Sequence, residues 1–389
     1  MISVTDLWLQ LDALTPSPLP AERVPLGSTH NRILREPILA PEDQPPFDRS
    51  AIDGYLTHAE QPAGLVTLQG TIAPGSPAPT VPPSVGTAVR ILTGSALPAS
   101  AAIIMQEDTK AADNGCIHLL QPPSTKHIRH RGSQARAGAQ LLAPGQLLNA
   151  GALALLASLG ATTPLVTRRA RVAHLVTGGE LVSPEAKPAF GQIRDSNSTL
   201  IAALLADAHA DLLWQQHVSD SRAATAGALA VALSTTADII LISGGASVGD
   251  HDHTGSLLAA QGFTIHCDKV ASRPGKPFIA ASRDGRLAFG LPGNPLSHFV
   301  CFHLFVKRVL ARLAGTGPIA LIHAQLAPHS ELRPDPRETW WPALLTHDSV
   351  TPLPWRDSSD LTVLARANAL LRVPSTPSDN SRVEVLRCS

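Results

Sequence analysis

Three glycine-rich turns and one pair of cations on a proline-stiffened turn are the segments of this chain best suited to chemistry. The turns are Thr177-Gly178-Gly179-Glu180, Ser243-Gly244-Gly245-Ala246-Ser247 and Leu291-Pro292-Gly293-Asn294-Pro295. Glycines lack a Cβ and let backbone N–H groups approach an anion. Taken singly, each turn reads more readily as a tight strand-to-helix connection. Three at one sheet edge point to a phosphate or oxyanion site. Arg273-Pro274-Gly275-Lys276-Pro277 sets two cations on a turn whose prolines fix much of the backbone, a preorganised seat for a tetrahedral oxyanion. Asp250-His251-Asp252-His253 follows the second glycine turn. Its two carboxylates, two residues apart, suit a shared hard cation such as Mg2+. The same string fits zinc, or a polar loop in which an aspartate caps a helix starting near Thr254. On the residues alone, metal ligand and cap stand level for Asp252.

These loops need a scaffold that brings them to one edge. From Arg171 the sequence alternates strand, loop and helix. Arg171–Val176, Leu212–Val218, Asp238–Ile242, Phe278–Ala281 and Arg286–Leu291 read as strands, with helices over Leu200–Ala208, Arg222–Ser234 and Leu296–Leu313. Asp195 or Ser196 is placed to cap the first of these helices. Apolar runs such as Asp238–Ile242 fit strands buried on both faces, so the expectation for 169–314 is a doubly wound parallel α/β sheet, with ligands beyond the carboxyl ends of its strands. The flanks differ in texture. Residues 1–40 and 127–168 read as a helical and extended linking domain, 41–126 as an inserted β-rich domain, and 315–389 as a C-terminal β domain.

Composition narrows the function classes. The 389 residues are 44% hydrophobic, which suits several packed domains. Basic and acidic residues balance at 31 each, and aromatics are 4%, so neither the charge nor the stacking surface of a nucleic-acid binder is expected. Cys116, Cys267, Cys301 and Cys388 are scattered, without the spacing of a zinc or disulfide framework, as in a reducing compartment. Met1–Leu14 lacks the basic start and apolar run of a signal peptide, and no apolar stretch reaches the ~18 residues of a membrane span. A cytoplasmic location is expected.

The chain resembles the molybdopterin molybdenumtransferase family, which includes MoeA and the gephyrin E domain. The likeness is carried by Pro45-Pro46-Phe47-Asp48-Arg49-Ser50-Ala51-Ile52-Asp53-Gly54-Tyr55, by Arg90-Ile91-Leu92-Thr93-Gly94 with Leu97-Pro98, and by Met105-Gln106-Glu107-Asp108. It continues through Ser243–Asp250, Arg273–Pro277, Gly290–Ser297 and Ala365-Arg366-Ala367-Asn368-Ala369-Leu370, in the family's order. The resemblance implies insertion of molybdenum from molybdate into adenylylated molybdopterin with release of AMP, assisted by Mg2+. It implies a homodimer whose active site joins the α/β domain of one subunit to the β-rich domain of the other. Contacts with the adenylyltransferase that makes the substrate, and with recipient molybdoenzymes, follow from the same likeness.

Residue by residue, the resemblance gives catalytic roles to Asp53, Thr93, Glu180, Asp220 and Asp252, the last three also as metal ligands. It gives substrate contacts to Gly244, Gly245, Ser247, Arg273, Lys276, Pro292, Asn294, Pro295 and Ser297, with Arg273 and Lys276 on molybdate. Arg337 corresponds loosely to a further family arginine. Where the family has acids, this chain has Gly179, Ser133 and Gln134. That departure implies a weaker metal site, since Gln cannot neutralise a cation. It also keeps a rival in view, a member that binds or carries molybdopterin or the finished cofactor.

Overall fold

The computed structural model describes residues 1–15, 18–77, 79–245, 253–317, 319–328, 332, 335–375 and 382–388. Contacts divide the chain into two compact units. One comprises Met1–Arg35, Gly145–Ala150 and Thr163–Ser389, the other Glu36–Pro144 and Gly151–Thr162.

The first unit is built on a six-stranded sheet in the order Asp211–Val218, Arg171–Thr177, Ile239–Ser243, Arg286–Leu291, Pro277–Arg283, Thr264–Lys269. Alternation along the strands sends side chains to two cores. Val172, Ile239, Leu241, Leu287 and Phe289 face one, with helices Val4–Leu14 and Asn197–Asp207 and the helical run from Pro295 to Ala314. Ala173, Leu175, Ile240, Ile242 and Ala288 face the other, with Arg222–Ser234 and Thr254–Ala260. Helices thus cover both faces, as a strand buried on two sides requires. The helix over Asn197–Asp207 is capped by Asp195, whose carboxylate accepts the Ser198 N–H at 3.0 Å, whereas the Ser196 side chain makes no cap bond.

One strand departs from the all-parallel expectation. Pro277–Arg283 runs antiparallel to both neighbours. Asp284 and Gly285 turn it directly into Arg286–Leu291 with φ of 49° and 78°. Two successive left-handed residues make the tight hairpin turn that an Asp-Gly pair favours. Thr264–Lys269, not expected from the sequence, completes the sheet.

Five C-terminal strands, Glu338–Thr346, Ser349–Pro352, Ile322–Leu326, Arg382–Arg387 and Ala369–Val373, pair in that order and close back on the first, forming a small barrel. Ser272–Arg273 adds in parallel to Glu338–Thr339. The cation-bearing turn is therefore pinned to the barrel wall by backbone pairing.

The second unit carries a six-stranded sheet ordered Ala101–Met105, Gly54–His58, Thr87–Ile91, Gly64–Ile72, Cys116–Leu119, Thr109–Ala111. A Cβ at Gly54 would lie 2.0 Å from the Ile104 carbonyl oxygen, so only glycine permits this strand contact. Among the described residues, no helix is long and apolar enough to cross a membrane.

Candidate active site

A cleft of about 600 Å3 opens in the first unit at the carboxyl ends of its parallel strands. Its floor is made of the strand-end turns: Thr177 and Glu180, Gly244 and Gly245, and Pro292, Gly293, Asn294 and Ser297. Backbone contacts hold these turns in register. The Gly244 N–H donates to the Leu291 carbonyl at 3.2 Å, and the Asn197 side-chain amide donates to the Gly293 carbonyl at 2.7 Å. Gly244 has φ +87°, and a Cβ there would stand 2.5 Å from the Thr177 carbonyl oxygen.

One wall is the turn Arg273–Pro277, the other a loop of the barrel, Trp355, Arg356, Asp357 and Ser358, with Arg337 beside it. The barrel loop is fastened to the floor. The Leu296 N–H donates to the Ser358 carbonyl at 3.0 Å, and the Asn294 amide donates to the Ser358 hydroxyl at 2.7 Å. The turn itself is braced by the buried Ser272 hydroxyl, which donates to the Pro274 carbonyl at 2.8 Å. Gly275 sits at φ +98°, where a Cβ would meet the Cys301 sulfur at 2.6 Å.

The cations of the cleft differ in freedom. Arg273 donates to the Asp335 carboxylate at 2.9 Å and lies over the Trp355 ring, 5.5 Å from its centroid. Arg337 bonds the same carboxylate through its backbone N–H at 3.0 Å and its Nε at 3.1 Å. Burial pushes the Asp335 carboxyl up, but the Arg337 N–H and guanidinium, with Arg273, outweigh it and hold it below the ordinary carboxylate range. Lys276 is exposed and has no side-chain partner among the described residues. Arg356, also exposed, likewise makes no side-chain hydrogen bond or ion pair among the described residues, so these two cations are left to meet a ligand.

Arg273, Lys276, Arg337 and Arg356 face the cleft with Glu180, Asp220 and Asp357. Asp357 is occupied by the Ser359 hydroxyl and N–H, which hold its carboxyl low. The Glu180 and Asp220 side chains make no hydrogen bond or ion pair to another described residue. Among the described residues, no three His, Cys, Asp or Glu side chains are grouped as a metal would need. Two exposed carboxylates in one cleft nevertheless fit Mg2+, which commonly takes one or two carboxylates and fills its other positions with water and substrate phosphate.

Of the expected residues, Glu180, Asp220, Gly244, Gly245, Arg273, Lys276, Pro292, Asn294 and Ser297 line this one cleft. Pro295 begins the helix behind Asn294. Ser247 and Asp252 lie outside the described residues. Asp53 and Thr93 belong to the second unit, where the Asp53 carboxylate accepts the Thr93 N–H at 2.7 Å and its hydroxyl at 3.0 Å. Trp355, Arg356, Asp357 and Ser358 were not singled out in the sequence. A Trp-Arg-Asp string in a chain with only 5 Trp was the available signal. At Gly179 a Cβ would meet nothing within 4 Å and the backbone is not left-handed, so no steric demand explains glycine in place of an acid.

The Asp53 pair carries a pH signature. The Thr93 N–H and hydroxyl hold the Asp53 carboxyl below 3.8. A carboxyl depressed on folding stabilises the fold above its unfolded value, and that stabilisation is lost as pH falls through the folded value. Thermal melts of Asp53→Asn should therefore lie below the unsubstituted protein near neutrality, with the gap closing below pH 3.8. A gap that persists unchanged in acid would contradict the assignment.

Comparisons with known proteins follow the same lines. The family model "MoeA N-terminal region (domain I and II)" matches residues 2–160, and "Probable molybdopterin binding domain" matches 173–312. The molybdopterin molybdenumtransferase of Nostoc sp. is 35% identical over 372 residues, 91% of this chain and 85% of that protein. The Bacillus subtilis protein of the same name is 32% identical over 371 residues, 91% of this chain and 86% of its own length. The crystal structure of a molybdopterin biosynthesis MoeA protein from Pyrococcus horikosii matches all of this chain and 99% of its own, with a TM-score of 0.79 at 27% identity.

Proposed function

Since the chain belongs to the molybdopterin molybdenumtransferase family, we propose that it works in molybdenum cofactor biosynthesis, inserting molybdenum from molybdate into adenylylated molybdopterin and releasing AMP. Support comes chiefly from one observation. A single cleft joins strand-end turns with two cations, Lys276 and Arg356, and two carboxylates, Glu180 and Asp220, whose side chains make no hydrogen bond or ion pair among the described residues. Both reactants are anions, so a site for them must neutralise charge while holding each in place.

In this mechanism Gly245, Gly293 and Asn294 of these turns present N–H groups to the pterin phosphate. Lys276 holds molybdate, with Ser297 at the floor of the same cleft. Arg273 and Arg337, fixed by Asp335, supply positive potential without being drawn onto the ligand. Glu180 and Asp220 would hold Mg2+, with Asp252 as the third expected carboxylate; when bound, the ion neutralises the adenylate phosphates. An oxygen from water or molybdate ends on phosphorus as the phosphoanhydride bond breaks and AMP leaves, and the two dithiolene thiols replace two molybdenum-bound oxygens, which depart with the thiol protons while molybdenum stays hexavalent.

Asp53 and Thr93 are assigned to the same reaction, and the chain is taken to act as a cytoplasmic homodimer that receives substrate from an adenylyltransferase and passes product to molybdoenzymes. The four-part division, 1–40 with 127–168, 41–126, 169–314 and 315–389, belongs to this proposal.

The test is a single-turnover assay with purified protein, adenylylated molybdopterin, Mg2+ and molybdate. AMP release that depends on molybdate is expected. Tight retention of molybdopterin without AMP release would favour the carrier alternative, to which Gly179, Ser133 and Gln134 lend their weight.

A further inference from the structure

Beneath the glycine turns runs a chain of polar groups that starts at the exposed Gln215 and passes into the interior. His174 lies within the strand Arg171–Thr177, Ser243 ends Ile239–Ser243, and His298 lies in the helix Pro295–Cys301 that follows the Pro292–Asn294 turn; all three are buried. Gln215 Nε2 lies 2.8 Å from His174 Nδ1, His174 Nε2 lies 2.6 Å from the Ser243 hydroxyl, that hydroxyl lies 3.4 Å from His298 Nε2, and His298 Nδ1 lies 3.1 Å from the Pro292 carbonyl.

Donor and acceptor rules fix every proton in this chain. A carbonyl only accepts, so His298 Nδ1 carries hydrogen and donates to Pro292. A neutral imidazole then has a bare Nε2, which must accept from the Ser243 hydroxyl. With its only proton committed, Ser243 must accept from His174 Nε2–H, leaving His174 Nδ1 bare. Starting from the other end gives the same answer. The Gln215 amide nitrogen also faces the Ser198 carbonyl at 3.0 Å, which settles its orientation, so it donates to His174 Nδ1. Burial keeps both rings neutral, His298 pushed down to about 4 and His174 well below its ordinary value.

We propose that Gln215, His174, Ser243 and His298 form a one-directional hydrogen-bond relay whose end holds the Pro292 carbonyl, so that the two histidines are positioning residues for the anion-binding turn Pro292–Asn294. The relay links three adjacent strands, Asp211–Val218, Arg171–Thr177 and Ile239–Ser243, to the turn at Pro292, and so joins two of the three turns that floor the cleft into one rigid unit. Without it, the Pro292 carbonyl loses its partner and the loop is free to turn that oxygen toward the bound anion, where it repels.

Two experiments test this. In the intact protein labelled with 15N-histidine, His174 should report hydrogen on Nε2 and His298 hydrogen on Nδ1, each resonance assigned by loss in a His→Phe variant. Any other tautomer at either ring, or a charged ring at neutral pH, overturns the relay. Kinetically, His298→Phe should raise the KM for adenylylated molybdopterin about tenfold while moving kcat less, the cost of one buried acceptor left unpaired. His298→Asn sets an amide nitrogen near the place of Nδ1 and should restore most of that loss. Equal behaviour of the Phe and Asn variants, both folded, overturns the positioning role. The kinetic measurement rests on the proposed function and the resonance measurement does not, so a protein that releases no AMP would fail that function alone, and the relay would be decided by the tautomers.

Discussion

Lys276→Ala should raise the molybdate concentration needed for half-maximal turnover tenfold to a hundredfold and leave the thermal melt unchanged. A charge-assisted hydrogen bond to an anion contributes roughly 1.5–3 kcal/mol, and each ~1.4 kcal/mol is a factor of ten. Lys276 is placed to deliver all of it, because it is exposed on a rigid turn and has no competing partner among the described residues. Its removal breaks no described contact, hence the unchanged melt. Arg273→Ala should behave differently. That guanidinium joins Asp335 to the Trp355 ring, so its loss should lower stability as well as activity. Activity against molybdate concentration, beside melts of both variants, makes the comparison. A folded Lys276→Ala protein with an unaltered molybdate dependence would move the oxyanion site to the glycine turns.

Gly244→Ala should be the more damaging change to the molecule itself. Holding a non-glycine residue in the left-handed region costs roughly 1–2 kcal/mol, and here the added Cβ would also stand 2.5 Å from the Thr177 carbonyl oxygen and 2.7 Å from its hydroxyl. Neither is the far end of a flexible chain, so the end of a central strand must shift. The combined cost is expected at about 2–4 kcal/mol, in the range of backbone strain and overpacking. Because the shifted strand ends at the cleft, pterin binding should weaken in whatever protein stays folded. Gly179→Ala is the matched control, with nothing within 4 Å of its Cβ and no left-handed backbone. Denaturant melts separate the two. Equal stability of the two variants would refute the close approach of the Gly244 turn to Thr177.

What the sequence made legible follows the reach of each interaction. Arg222–Ser234 and Arg286–Leu291 were read with their boundaries because apolar periodicity and flanking turn residues are local signals. Gly244, Gly245, Arg273, Lys276, Pro292 and Asn294 were legible from two glycine turns and one proline-stiffened segment, since each advertises its backbone geometry in its own composition. The strand Pro277–Arg283 was read, as Phe278–Ala281, but its reversal was missed although Asp284-Gly285 marks the hairpin; a continuous apolar run carries no direction. The wall Trp355–Ser358 was missed for another reason. Its place depends on the pairing of Ser272–Arg273 with Glu338–Thr339 and on the bonds from Asn294 and Leu296 to Ser358, contacts between residues more than sixty positions apart. His174, alone in an apolar strand, reads as a core residue until Ser243 and His298 are seen beside it. The resemblance supplied Asp53, Thr93, Glu180 and Asp220, which no local pattern distinguishes from other surface side chains.

The central claim is that this protein moves molybdenum from oxygen ligands to sulfur ligands. X-ray absorption at the molybdenum edge, recorded on the protein after reaction with adenylylated molybdopterin, molybdate and Mg2+, reads that change directly. Two sulfur neighbours at molybdenum, appearing in step with released AMP, are the predicted result. Molybdenum still surrounded by oxygen alone, with the adenylate intact, would contradict it.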